Sequence, residues 1–169
     1  MKMTDTTKVI VSIVSTRFGK IRVGESEKGL HEVQFVGKDD DLEGKFCGEL
    51  AGQVASAIDK LAWDTANFPF YFEGTNCQKD VWNELIRIPI GTTITYTELA
   101  KRIGRPKAVR AVANACGRNR IAILVPCHRV VASNGKLGGY SCPLGISMKQ
   151  RLLEAERNAA QKENLKNYC

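Results

Sequence analysis

The chain has 169 residues, 43% hydrophobic and 25% charged, with a formal net charge of +7; this is globular composition for one domain or two small ones sharing a core, and it excludes a disordered chain. No apolar run approaches the ~20 residues of a membrane helix, and the start, MKMTDTTKVIVSIV, lacks a secretory-signal layout, so the expectation is a soluble intracellular protein, nuclear in a eukaryote and otherwise cytoplasmic. Residues 1–76 carry nine Lys and Arg against twelve Asp and Glu, whereas residues 77–169 carry sixteen against six, a net of +10 that suits a polyanion-binding module.

In chain order, KVIVSIVS (8–15), FGKIRVG (18–24) and LHEVQFVG (30–37) are short β-rich runs separated by Gly-containing turns. KDDDLEGK (38–45) reads as a charged loop. From about Gly48 to Trp63, Leu50, Val54, Ala57, Ile58 and Leu61 recur at helical spacing. FPFYFE (68–73) is aromatic and extended. None of this supplies a cluster of catalytic residue types.

The second half is helical. Thr75 and Gln78 can form a capping box that opens a helix with Val81, Trp82, Leu85 and Ile86 on one face, stopped by Pro89 and Gly91. Thr95 and Glu98 predict a second box and a helix over about Tyr96–Ile103. After Gly104-Arg105, Pro106 is placed to begin PKAVRAVANAC, a helix ending at Gly117. Ser147 and Gln150 predict the cap of a final helix carrying Leu152 and Leu153. Two short helices about a Gly-containing turn have the shape of a helix-turn-helix. On the second, Ala108, Ala111, Val112 and Ala115 make a slim apolar stripe, while Lys107, Arg110 and Asn114 form a basic, hydrogen-bonding face. The expected fold is therefore α+β: a small antiparallel sheet with a helix over residues 1–74, then a mainly helical, winged-helix-like domain over 75–169.

The chemistry concentrates in VPCHRVV, residues 125–131. Most of the six cysteines read as small buried hydrophobes, but Cys127 precedes one of only two histidines. Zinc would need more ligands at regular spacing, and disulfide exchange a resolving thiol three positions from Cys127, which is absent, although Cys142 could fold back near it. A nucleophile needs a base or a positive neighbourhood: His128 and Arg129 adjoin Cys127, and Glu154 or Glu156 could orient the imidazole. A histidine merely satisfied within the core is the bland alternative.

PCHRVV, together with ITYTELA (94–100), RPKAVRAV (105–112), Gly138-Gly139-Tyr140 and the final helix, closely resembles the O6-alkylguanine-DNA alkyltransferases over about residues 75–156. The resemblance implies that Cys127 accepts the alkyl group, polarised by His128 through a bound water with Glu156 completing the relay. It implies that Asn119 braces the active-site turn, that Tyr96 donates to guanine N3, and that Arg110 fills the base stack vacated by a flipped nucleotide. Val130 and Ser141 would line the base pocket, Tyr140 would belong to the loop above it, and Lys149 would match a lysine opening the last helix. The implied partner is double-stranded DNA carrying O6-alkylguanine, bound by a monomer in the minor groove without cofactor or metal. The thioether formed has no good leaving group, so each molecule acts once. A non-catalytic binder that flips the lesion and recruits other repair proteins is the alternative, but such relatives lack the motif's cysteine. Cys142-Pro143 stands where the family usually has a small residue, in a loop longer than its commonest pattern. The expectation is a narrowed pocket and slow reaction with free O6-benzylguanine.

Overall fold

The computed structural model describes residues 7–37, 48–64 and 66–166; the charged stretch 38–45 read as a loop lies outside them. Strands β1 (Ile10–Thr16), β2 (Gly19–Ser26) and β3 (Gly29–Phe35) form an antiparallel meander in that order. Its register pairs Val14 with Ile21, Ile21 with Phe35, and Val23 with both Ser12 and Val33, so these buried side chains share one face. Helix α1 (Glu49–Asp59) buries Ala51, Val54, Ala57 and Ile58 and packs on β1 and β2. Its Gly48 N-cap offers no side chain; the buried Glu25 on β2 reaches over and accepts from Leu50 N (3.1 Å) and Ala51 N (3.0 Å). A carboxylate there satisfies orphan amides and complements the helix dipole.

The outer edge of β3 joins the two halves. Leu30 bonds residues 69 and 71 of the extended FPFYFE segment (Leu30 N to Pro69 O 2.7 Å, Tyr71 N to Leu30 O 2.9 Å). Gly29, at φ +119°, permits this approach, because a Cβ there would lie 2.0 Å from Pro69 O. Further along, Val33 N donates to Arg120 O (2.8 Å) and Val33 O accepts from Ala122 N (2.7 Å). The segment leading into Cys127 is thus tied to the N-terminal sheet. Phe70, Phe72 and Trp82 form an aromatic chain across the same junction, and Trp82 Nε1 donates to Ala115 O at 2.9 Å. One hydrophobic core includes Ile21, Val54, Phe68, Val81, Leu99, Val112 and Leu152.

Helix α2 (Asn76–Ile86) opens on the expected reciprocal box between Thr75 and Gln78. Strand β4 (Ile94–Thr95) leads into α3 (Tyr96–Arg102), where Thr95 accepts from Glu98 N at 3.1 Å. The second box is only half made, because the Glu98 carboxylate pairs with Arg102 (2.5 Å) one turn on. Pro106 does not begin the next helix. Ala108 N closes a turn onto Arg105 O (2.9 Å), and α4 runs over Val109–Gly117. A 3-10 turn, Cys127–Arg129, precedes β5 (Val130–Val131), which pairs in parallel with β4. Helix α5 (Gly145–Lys166) starts before Ser147, whose hydroxyl donates back to Leu144 O (2.6 Å) and caps nothing. Among the described residues no helix is long and apolar enough to cross a membrane.

Candidate active site

Residues 121–130 are all buried, and their path is set by one side chain. Asn119 Oδ1 accepts from Ile121 N (2.9 Å), while its Nδ2 donates to Val125 O (2.8 Å) and to Cys127 Sγ (3.3 Å). Between these anchors Ile123 sits at φ +70°, a strained conformation for a β-branched residue. Asn119 therefore braces the turn and also touches its sulfur.

Cys127 lies at a cavity of about 450 Å³. One wall is α4, through Ala113, Asn114, Cys116 and Gly117; the opposite side is Gly139, Tyr140 and Ser141, with Tyr96 completing it. Gly138, at φ +72°, keeps this loop close: a Cβ there would stand 3.3 Å from the Tyr96 ring and hydroxyl.

Behind the sulfur, His128 and Glu156 are both fully buried, with Nε2 2.6 Å from Oε1. Burial is the main force holding the His128 ring below its ordinary 6.5; Glu156 opposes it, and Arg129 and Lys149 add to it. The ring is then neutral at pH 7, with Nε2–H donating to Glu156 and Nδ1 left as the acceptor. Nδ1 is buried and meets no hydrogen-bond partner among the described residues. Burial pushes the Glu156 carboxyl up, but His128 and Arg129 outweigh it and hold the group below the ordinary carboxylate value.

The Cys127 thiol is pushed up by burial, against the Asn119 hydrogen bond and the Lys149 charge. It rests protonated and must lose its proton as it reacts. Lys149 is wholly buried: its Nζ donates to Val130 O (2.6 Å) and Gly139 O (3.3 Å) and lies 5.9 Å from the Tyr96 ring centroid. Tyr96 is pushed up to about 12, first by burial and then by the Cys116 and Cys127 sulfurs, so it remains a donor. The Tyr140 hydroxyl is buried without a partner among the described residues.

The structure brings Tyr96, Asn114, Asn119, Cys127, His128, Tyr140, Ser141, Lys149 and Glu156 to one place. Lys107 and Arg110 are exposed, and Arg110 stands one helical turn before Asn114, outside the cavity lining. Val130 does not line the cavity; its side chain is in the core and its carbonyl holds Lys149. Arg129 is not a free cation beside the thiol, because its guanidinium is spent on Glu156, Asp64 and Ile88 O. Of the two glutamates, Glu156 meets His128 while exposed Glu154 accepts from Gln150. Cys142 does not narrow the cavity; its sulfur turns to Gly145 O at 3.8 Å. Sequence reasoning missed Asp64, which has no local signature, and Cys116, which shares its face with Ala113.

Over 156 aligned residues the chain is 43% identical to a methylated-DNA–protein-cysteine methyltransferase of Methanosarcina barkeri, covering 86% of this chain and 96% of that one. The chain belongs to the methylated-DNA–protein-cysteine methyltransferase family. A crystal structure of the Mycobacterium tuberculosis O6-methylguanine methyltransferase is similar, with TM-score 0.75, 32% identity, and coverage of 89% of this chain and 94% of that chain. Mycobacterium tuberculosis OGT in complex with DNA gives TM-score 0.73 at 34% identity, covering 88% and 92%. The family model "6-O-methylguanine DNA methyltransferase, DNA binding domain" matches residues 76–158. That methyltransferase span contains the site from Tyr96 to Glu156; Asp64, the carboxylate that helps seat Arg129, lies before it.

Proposed function

We propose that this protein repairs DNA by direct reversal, moving the alkyl group of an O6-alkylguanine onto Cys127 once per molecule. The observation that carries this is the sulfur of Cys127 facing a cavity with room for a base, bonded by Asn119 and backed by the buried His128–Glu156 pair.

The Cys127 sulfur attacks the alkyl carbon; the S–C bond forms as the carbon–O6 bond breaks. The thiol proton passes to His128 Nδ1, through a bridging water, and Glu156 stabilises the resulting imidazolium. Guanine leaves carrying the bond's electrons, and the Tyr96 hydroxyl donates to ring N3 as charge grows there. Lys149 adds positive potential at sulfur and at the leaving base. The product thioether is inert, so the site is spent.

The lesion reaches this cavity only if its nucleotide leaves the duplex, at a cost of about a few kcal/mol. In this reading α3 and α4 work as a helix-turn-helix against the minor groove, with Arg110 entering the stack and Lys107 and Asn114 meeting the backbone. Both cations are exposed and without ion pairs among the described residues, whereas Arg102 and Arg105 are partly neutralised by Glu98 and Asp80. Residues 75–169 act as the reacting domain and residues 1–74 as its support, in a monomer. Cys127→Ala tests the reading: it is expected to keep duplex binding and lose all transfer of a radiolabelled methyl. Label still reaching the protein would overturn the assignment.

A further inference from the structure

The alkyl-transfer mechanism leaves one thiol in its own cavity unused. Cys116 projects from α4 into the space that Cys127 lines, is 6% exposed, and is free of any disulfide. Asn119 connects the two cysteines: its backbone N donates to Cys116 O (3.2 Å) and its side chain to Cys127 Sγ (3.3 Å). Both sulfurs also act on the Tyr96 hydroxyl.

We propose that Cys116 is a second acceptor for bifunctional lesions: a 2-haloethyl group delivered to Cys127 from O6-(2-haloethyl)guanine is closed by Cys116 into an ethylene bridge between the two sulfurs. This rests on the alkyl-transfer reading above. In the first step the Cys127 S–C bond forms, the carbon–O6 bond breaks, and the thiol proton leaves through His128. The product, a 2-haloethyl thioether, expels halide by attack of its own sulfur on the second carbon, forming a cyclic episulfonium. The Cys116 sulfur then attacks a ring carbon, the strained C–S⁺ bond breaks with its electrons returning to the Cys127 sulfur, and the Cys116 proton passes to solvent. The second step releases one halide and one proton and consumes no redox equivalent.

Two features favour Cys116 over other nucleophiles. It is held in the same cavity, and such confinement outweighs bulk water by its effective concentration. The remaining polar lining groups are hydroxyls and an amide, and Tyr96 stays protonated. Burial holds the Cys116 thiol high, and the Lys149 charge acts against it. The bridge would keep a half-mustard from attacking the DNA it was taken from.

The test uses the full chain and two duplexes, one carrying O6-methylguanine and one freshly chloroethylated at guanine O6 and freed of reagent. Trypsin places Cys116 in the peptide 111–118 and Cys127 in 121–129, so a bridge appears as a cross-linked pair in mass spectra. The expected result is methyl on Cys127 alone from the first duplex, and from the second the two peptides joined by one ethylene in most alkylated molecules. In Cys116→Ser the joined pair is lost, and the alkylated molecules carry 2-hydroxyethyl on Cys127. Hydroxyethyl on Cys127 with a free Cys116 in the wild-type chain, or a bridge to Cys142 or to DNA, would overturn the proposal while alkyl transfer stood. A blank methyl arm would overturn alkyl transfer to Cys127, and the bridge with it.

Discussion

Replacing Glu156 with Gln keeps its shape and removes its charge. The carboxylate is wholly buried and accepts from His128 Nε2 (2.6 Å), Arg129 Nε (3.0 and 3.1 Å), Arg129 Nη2 (2.9 Å) and Gly91 N (3.3 Å). The Arg129 side chain is also wholly buried, and its remaining anion, Asp64, has a side chain 25% exposed. Breaking a buried ion pair costs about 3–5 kcal/mol because the surviving charge is stranded. Asp64 still compensates Arg129, so the lower end, about 3 kcal/mol, is expected for Glu156→Gln. At about 2–4 °C per kcal/mol for a chain of this length, the melting temperature should drop by about 6–12 °C at pH 7. The pH dependence has a defined sign. Glu156 is held below its ordinary 4.5, so its contribution is full above that value and is lost as pH falls through the lower folded value. The gap between wild type and variant should therefore close in acid. Differential scanning calorimetry from neutral pH downward reads both effects. A variant within about 1 kcal/mol of wild type at pH 7, the size of an exposed pair, would refute the buried-network account.

Three further outcomes are expected. Because His128 is held below 6.5 chiefly by burial, single-turnover transfer should stay level as pH falls through 6.5 and decline only below it; a half-loss at or above 6.5 would contradict a neutral ring. Asn119→Ala removes three hydrogen bonds from the strained turn, at about 0.5–1.5 kcal/mol each, so denaturant titration should show a loss of about 1.5–4.5 kcal/mol and iodoacetamide should capture Cys127 more slowly. Unchanged stability with unchanged capture would deny Asn119 its bracing role. Arg110→Ala should slow repair of duplex DNA while leaving reaction with free O6-benzylguanine nearly unchanged; equal losses on both substrates would make the arginine a support of the fold.

Where one residue's neighbours in sequence decide its conformation, the sequence was informative. Thr75 and Gln78 form the reciprocal cap their spacing implies, and the alternating strands pair as a meander with their apolar residues on one face. Pro106 misled because the same local rules permit a turn: Ala108 bonds back to Arg105 and the helix waits until Val109. Ser147 misled because α5 extends one turn further back over the loop, turning the supposed cap into a helical residue. The sulfur, its histidine and the correct glutamate were legible because they sit in a motif that resembles known proteins. Arg129 was legible only as a charge, since its partner Asp64 lies 65 positions away and periodicity carries no information about it. Cys142 was misjudged by size alone; its direction is set by the turn onto Gly145.

The central claim is that Cys127 is consumed as it repairs. The direct measurement is a titration of the intact chain against a duplex carrying O6-methylguanine, read by mass spectrometry of protein and DNA together. The account predicts one added methyl per molecule, located on Cys127, and lesion loss that stops when the protein is exhausted. Lesions removed in molar excess by a chain of unchanged mass would contradict it.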